Sequence, residues 1–211
     1  MKYLDTDTLL CLHPPPNMYM MSEHVVGDGE GENTLRGRQL KVLADMLTWI
    51  DGNVFPGIVV HPLDTAQGFL PTTPQPRETR DRIRRWVEER DDWELVGLER
   101  CVVSAKSLLV GIRLVAAWGR GRDQPTSITD TVLSQKSARS PKIDSDPADP
   151  LTRGKEEAWG IEEAAQAATL EVSWQTGQWG EVEDTHDVEK EDVRRGLGAG
   201  CCLVINSHIG D

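Results

Sequence analysis

Carboxylates and one imidazole crowd a short stretch late in the chain. Glu181, Glu183, Asp184, His186, Asp187 and Glu189 follow the bulky pair Trp179-Gly180. On a helix, Glu183 and Asp187 stand at i, i+4, with His186 beside them at i+3. Like charges so placed repel. They need a basic partner surface or a basic part of the same chain. Asp184, His186, Asp187 and Glu189 could also ligate a cation, and a metal-dependent hydrolase would use such a set with one position left open. No His-x-x-x-His or His-Glu-x-x-His accompanies them, so no metal and no catalytic residue is expected. A Cys-His nucleophile pair is equally unsupported, because Cys101 lies in an apolar segment. The glycines of 27–33 lack a following Lys-Ser/Thr, and their acidic neighbours would repel phosphate. Gly196-x-Gly198-x-Gly200 follows a helical pattern rather than a strand, so it is no dinucleotide fingerprint. No cofactor is expected.

The elements that must carry these residues are mostly helical. A short strand suits Thr8–Leu12, stopped by Pro14-Pro15-Pro16, and residues 17–34 read as a solvated loop. A helix begins near Thr34 or Arg36 with a face of Leu40, Leu43, Leu47 and Ile50, widened by Val42, Met46 and Trp49, and Asp51-Gly52-Asn53 ends it. A β-branched run at 54–60 and a proline loop at 71–76 come next. A second helix, from about Arg77 to Arg90, has a narrow stripe of Ile83, Trp86 and Val87. Its arginines are available to answer the acidic 181–192 segment. One long helix from about Asp92 to Ala117 is apolar nearly all round, so it is the expected central buried element. Lys106 within it must snorkel outward or find a carboxylate. Trp49, Trp86 and Trp93 read as core.

Residues 119–157 change to Pro, Ser and charge, a composition that reads as a disordered insertion. Helix returns from Gly160 to about Thr176. Trp179 opens a last helix to about Arg195, which Gly196, Gly198 and Gly200 terminate. Cys201–Ile205 reads as a terminal strand or extended tail. The chain divides into a strand and linker at 1–16, a helical domain at 35–118 and its second part at 158–205.

Composition narrows the function. The chain has 211 residues, 38% hydrophobic, with seven tryptophans but only two Phe and two Tyr, so tryptophan supplies most aromatic packing. A net charge of −12 argues against nucleic-acid binding and against binding an anionic membrane. Cys11, Cys101, Cys201 and Cys202 form no Cys-x-x-Cys, which suits a reducing compartment. No apolar run is long enough to span a membrane. The N-terminus lacks both a signal-peptide core and an Arg-rich presequence.

Several motifs occur in a specific order. Trp-Gly-x-Val-Glu-x-x-His-Asp-x-Glu spans Trp179 to Glu189. Before it come Tyr3-Leu4-Asp5-Thr6-Asp7-Thr8, Gln39 with Trp49, Thr79-Arg80 with Trp93 and Gly97, Lys106-Ser107, and Leu170-Glu171 with Gln175. This set resembles the mitochondrial ATP synthase assembly factor 2 family, chaperones of the α subunit of the soluble ATPase head. The resemblance covers nearly the whole chain outside residues 119–158. Leu43-Ala44-Asp45 stands where the family has Trp-Asp-Pro.

The resemblance implies a mainly α fold, the multi-helix C-terminal domain of the family with short terminal β segments. Met1 falls just before the family's middle motif. The chain therefore reads as a C-terminal part, with the family's β-rich N-terminal domain and targeting sequence absent. The implied function is a non-enzymatic chaperone of the mitochondrial matrix, a monomer that binds the unassembled ATP synthase α subunit. Glu171 aligns with a glutamate held essential for chaperoning, with Trp179, Glu183, His186 and Asp187 as orienting or supporting residues. A small metal-dependent hydrolase using the 183–189 acids is the alternative from another class. A scaffold domain with no client is a third.

Overall fold

The computed structural model describes residues 2–15, 34–64, 74–119, 159–180 and 186–206. Each helix start has a local cause. The Thr34 hydroxyl accepts the Gly37 N–H at 3.0 Å and opens α1, Leu35–Asn53. Pro76 precedes α2, Arg77–Glu88, with a proline φ suited to helix entry. A capping box opens α3, Asp92–Ala105: Asp91 accepts the Glu94 N–H at 2.8 Å, and Glu94 accepts the Asp91 N–H at 3.4 Å. Next are α4, Leu108–Gly119, and α5, Ile161–Ala168, where Glu163 accepts the Gly160 N–H. Helices α6, Leu170–Trp179, and α7, His186–Asn206, complete the described set.

The fold is mainly α, as expected. Its described sheet is one parallel pair, β1 (Cys11–Leu12) on β2 (Leu63–Asp64). The strand anticipated at Thr8–Leu12 is thus confined to its last two residues, with its partner inside this chain. The β-branched run at 54–60 instead makes turns and irregular backbone.

Helix α4 is the centre. Leu109, Val110, Ile112, Leu114 and Val115 are all essentially inaccessible. Around it pack Leu98, Cys101 and Val102 of α3, Leu197 and Val204 of α7, Ala164 and Ala165 of α5, and Ile50 of α1. Residues 2–12 belong to the same core, through buried Leu4, Leu9, Leu10 and Leu12. The buried face of α1 is Leu43, Met46 and Ile50, all within the anticipated face as widened by Val42, Met46 and Trp49, while Leu40 is exposed and Leu47 only half-buried. Trp93, read as core, is 48% exposed.

The long helix expected over 92–117 is two helices. Lys106 adopts the left-handed conformation, φ 53°, and the chain turns between α3 and α4. The N-terminal segment fills that turn. Thr8 donates its backbone N–H and its hydroxyl to the Lys106 carbonyl at 3.1 and 2.8 Å. The fully buried Asp7 carboxylate accepts the Leu109 N–H at 2.9 Å, and the Ser107 hydroxyl accepts the Val110 N–H at 3.1 Å. Orphan donors at the start of α4 are thereby satisfied by a residue about a hundred positions away in sequence. A left-handed lysine costs about 1–2 kcal/mol. Leaving those donors buried and unpaired would cost a similar amount each, roughly 1–3 kcal/mol, so the break is tolerated. Lys106 itself is exposed and its ammonium reaches Glu189 Oε1 at 3.6 Å, both outcomes allowed from its position.

The end of the chain also differs from expectation. Gly177 does not break α6. The chain turns at Thr169 instead, separating α5 from α6, and Trp179 closes a helix rather than opening one. Gly196, Gly198 and Gly200 lie inside α7, and Cys201–Ile205 is helical, not a strand. Gly196 and Gly200 are needed for space. A Cβ on Gly196 would strike the Ser104 side chain, and one on Gly200 would lie 2.9 Å from the Gly97 carbonyl oxygen. Across the seam, a Cβ on Gly97 would lie 2.8 Å from the Gly200 carbonyl oxygen. The α3–α7 contact, the most extensive between helices, is therefore backbone-to-backbone.

Candidate functional site

Helix α6 carries the residue singled out first. Glu171 lies in its first turn, exposed, where the helix N-terminus favours a carboxylate. One turn on, Gln175 Nε2 donates to Glu171 Oε1 at 3.2 Å and holds its direction. Glu171 borders a shallow cleft with Thr8, Leu9, Gln39, Ala167 and Leu170. Gln39 is fixed from both ends: its Nε2 donates to the Cys11 carbonyl at 3.2 Å, and its Oε1 accepts the His13 N–H at 2.7 Å. Beside it, the Arg38 guanidinium stacks 5.1 Å from the Trp174 ring centre, tying α1 to α6.

Three motif residues far apart in sequence, Thr8, Gln39 and Glu171, thus meet on one surface, with Gln175 one turn beyond Glu171. Burial, then the charges of Asp7 and Glu171, push the Cys11 thiol above its ordinary range.

The other site residues fall differently. Trp179 ends α6 and is 81% exposed, so its ring projects from the surface. Gly180 follows with φ 87°. His186 is the half-buried first residue of α7, and Asp187 follows it in the helix. Glu183 lies outside the described residues, as does Asp184. Among the described residues, no three His, Cys, Asp or Glu side chains converge as metal ligands.

The described acids that follow, Glu189, Glu191 and Asp192, each find a cation outside α2. Glu189 pairs with Lys106. Arg194 makes a fork to Glu162, at 2.6 and 2.9 Å, and reaches Glu191 at 3.4 Å. Arg195 pairs with Glu191 and Asp192. The Arg194 hydrogen bonds hold the Glu162 carboxyl below its ordinary range despite partial burial. The α2 arginines have other tasks. Arg80 binds Asp5 at 2.6 Å, Arg77 and Arg84 flank Asp81, and Arg90 pairs with Glu94. Arg82 donates to the Pro56 carbonyl. Sequence reasoning missed Asp7 as the residue that caps α4. The available signal was a carboxylate between leucines in a segment that otherwise reads as buried.

Fold and site together define a helical module with a shallow surface cleft bordered by Glu171. The chain is 25% identical over 204 residues to the protein named atp12, mitochondrial, of Schizosaccharomyces pombe, a match covering 96% of this chain and 50% of that protein. It is 27% identical over 195 residues to the ATP12 protein, mitochondrial, of Saccharomyces cerevisiae, covering 92% of this chain and 49% of the relative. The chain is homologous to the mitochondrial ATP12 proteins, in support of the family that its motifs indicate. It spans about half the length of these curated relatives. No protein-family model matches it, and no solved structure matches it.

Proposed function

We propose that this chain takes part in assembly of the mitochondrial ATP synthase as a chaperone that binds the unassembled α subunit of the soluble head. The carrying observation is homology to the ATP12 proteins along more than nine-tenths of the chain. The meeting of Thr8, Gln39 and Glu171 on one surface, with Gln175 one turn beyond Glu171, supports it. On this reading Glu171 and Trp179 are contact residues, and Glu183, His186 and Asp187 support them. The chain acts as a monomer in the matrix and uses no cofactor. The mechanism is mass action and exclusion. Occupying the partner's exposed interface lowers the concentration of the aggregating species without consuming nucleotide.

The test expresses the chain with separately tagged ATP synthase α and β subunits. Capture of α but not β, with less light scattering from α as it is diluted from denaturant, is the expected result. Equal capture of both, or of neither, overturns the proposal.

A further inference from the structure

The face of α3 turned away from the core carries three large apolar side chains. Trp93, Val96 and Val103 are 48%, 50% and 52% exposed, and they stand at i, i+3 and i+10 along one line. Arg100 occupies the intervening i+7 position. The opposite side of the helix is the one that packs on α4 and α7, so this stripe is not what seats α3 on the core. Scattered single exposed apolar residues are ordinary. A line of them along the outer side of one helix is the arrangement that receives another apolar element.

Charge says what that element is. Beside the stripe on α3 itself, Asp92 and Glu99 are exposed carboxylates. The exposed cations of α3 and its end are Arg100 and Lys106, and Lys106 is paired with Glu189. An apolar line with an acidic margin fits a partner segment with an apolar face and lysines or arginines along its edge.

We infer that the outer face of α3, centred on Trp93, Val96 and Val103, is a second contact surface for the client, and that it receives an apolar client segment with a basic margin. This rests on the chaperone reading above but concerns a different surface from α6. A second copy of this chain fits less well, because its net charge of −12 would set acidic margin against acidic margin.

The test uses the full chain and purified ATP synthase α subunit as the probe. Three variants are compared: Val96→Asp with Val103→Asp, Trp93→Ala, and Glu99→Lys with Asp92→Lys. Trp93, Val96 and Val103 are only about half exposed and Asp92 lies in the first turn of α3, so each variant should melt a few degrees below the parent, and binding is compared at a temperature where circular dichroism shows every variant folded. Each variant should bind the α subunit at least about tenfold more weakly. For the charge reversal, the difference should shrink as salt rises. Parent and apolar variants binding the α subunit equally would overturn the second surface and leave the chaperone reading standing. No binding by the parent would overturn both. A concentration-dependent dimer that Val103→Asp abolishes would assign the face to a second copy and also overturn the proposal.

Discussion

Alanine at two glycines of α7, two residues apart, should move stability in opposite directions. In an exposed helix interior, Gly→Ala gains about 0.8–1 kcal/mol from propensity. Gly198 has room for the new carbon: its nearest outside neighbour would be Ile161 Cδ1 at 3.8 Å, an ordinary contact. Gly198→Ala should therefore stabilise by roughly 0.5–1 kcal/mol. Gly200 has no room. Its Cβ would overlap the Cys101 Sγ and lie 2.9 Å from the Gly97 carbonyl oxygen and 3.3 Å from the Cys101 nitrogen. A thiol such as that of Cys101 can rotate away, but backbone atoms cannot swing aside, so α3 and α7 must separate. Overpacking of this kind costs about 1–3 kcal/mol. Less the propensity gain, Gly200→Ala should lose roughly 0.5–2 kcal/mol. For a chain of this size each kcal/mol moves the melting midpoint by about 2–4 °C. Circular-dichroism melts of the two variants, with urea titrations for free energies, should bracket the parent. A rise in midpoint for Gly200→Ala would refute the argument that space, not conformation, selects glycine along this seam.

Asp7→Asn should destabilise by about 1–3 kcal/mol, because an amide cannot accept both the Leu9 and the Leu109 N–H. Burial raises the Asp7 pKa, so the folded state binds its proton more tightly than the unfolded state. This contribution to stability is greatest below the unfolded value and fades as pH climbs through the raised one. The parent's margin over Asp7→Asn, measured by urea titration, should therefore narrow across that window, and a widening margin would contradict the burial argument. Glu171→Gln should melt within about 0.5 kcal/mol of the parent, since its described partner is Gln175 on the exposed surface, while α-subunit protection is lost. Unchanged protection would return Glu171 to an ordinary solvated carboxylate. Lys106→Gly should relieve about 1–2 kcal/mol of left-handed strain. The more flexible unfolded chain offsets about 0.4–1 kcal/mol of that. The exposed pair with Glu189 adds little, so the variant should melt no lower than the parent, and a drop of several degrees would show that Lys106 holds the turn in another way.

Helix content was legible where the signals are local. Thr34 and Asp91 mark their helix starts with the short polar side chains that capping requires, and Pro76 marks the third. The break at Lys106-Ser107 was not, because it has no glycine or proline. Its one local mark is Ser107, whose hydroxyl caps the Val110 N–H, and the second cap, Asp7, sits on a segment the local pattern cannot place. The α7 glycines were misread for the opposite reason. Glycine near a helical pattern signals termination by propensity, yet here the close approach of α3 outweighs the propensity cost. The same limit governs the site. The motif residues could be named in the sequence, but the meeting of Thr8, Gln39 and Glu171 depends on residues 2–12 being seated in the core. Arg80 and Arg77 of α2 pair with Asp5 and Asp81, carboxylates that the sequence offered as readily as the late acidic run.

The seating of Asp7 and Thr8 in the turn between α3 and α4 bears on how quickly this chain reaches its final form. The Thr8–Lys106 and Asp7–Leu109 bonds join residues 98 and 102 positions apart, and the Cys101–Leu197 bond across the glycine seam joins residues 96 apart. A helical protein ordinarily folds fast because its contacts are local. Here the central pair, α3 and α4, has one set of partners far upstream and another far downstream. During synthesis α3 leaves the ribosome with its glycine groove bare, and stays so until α7 has emerged. The barrier to folding should accordingly resemble that of a β-rich protein more than that of a simple bundle, and the half-made chain exposes the same kind of apolar helix surface that invites aggregation.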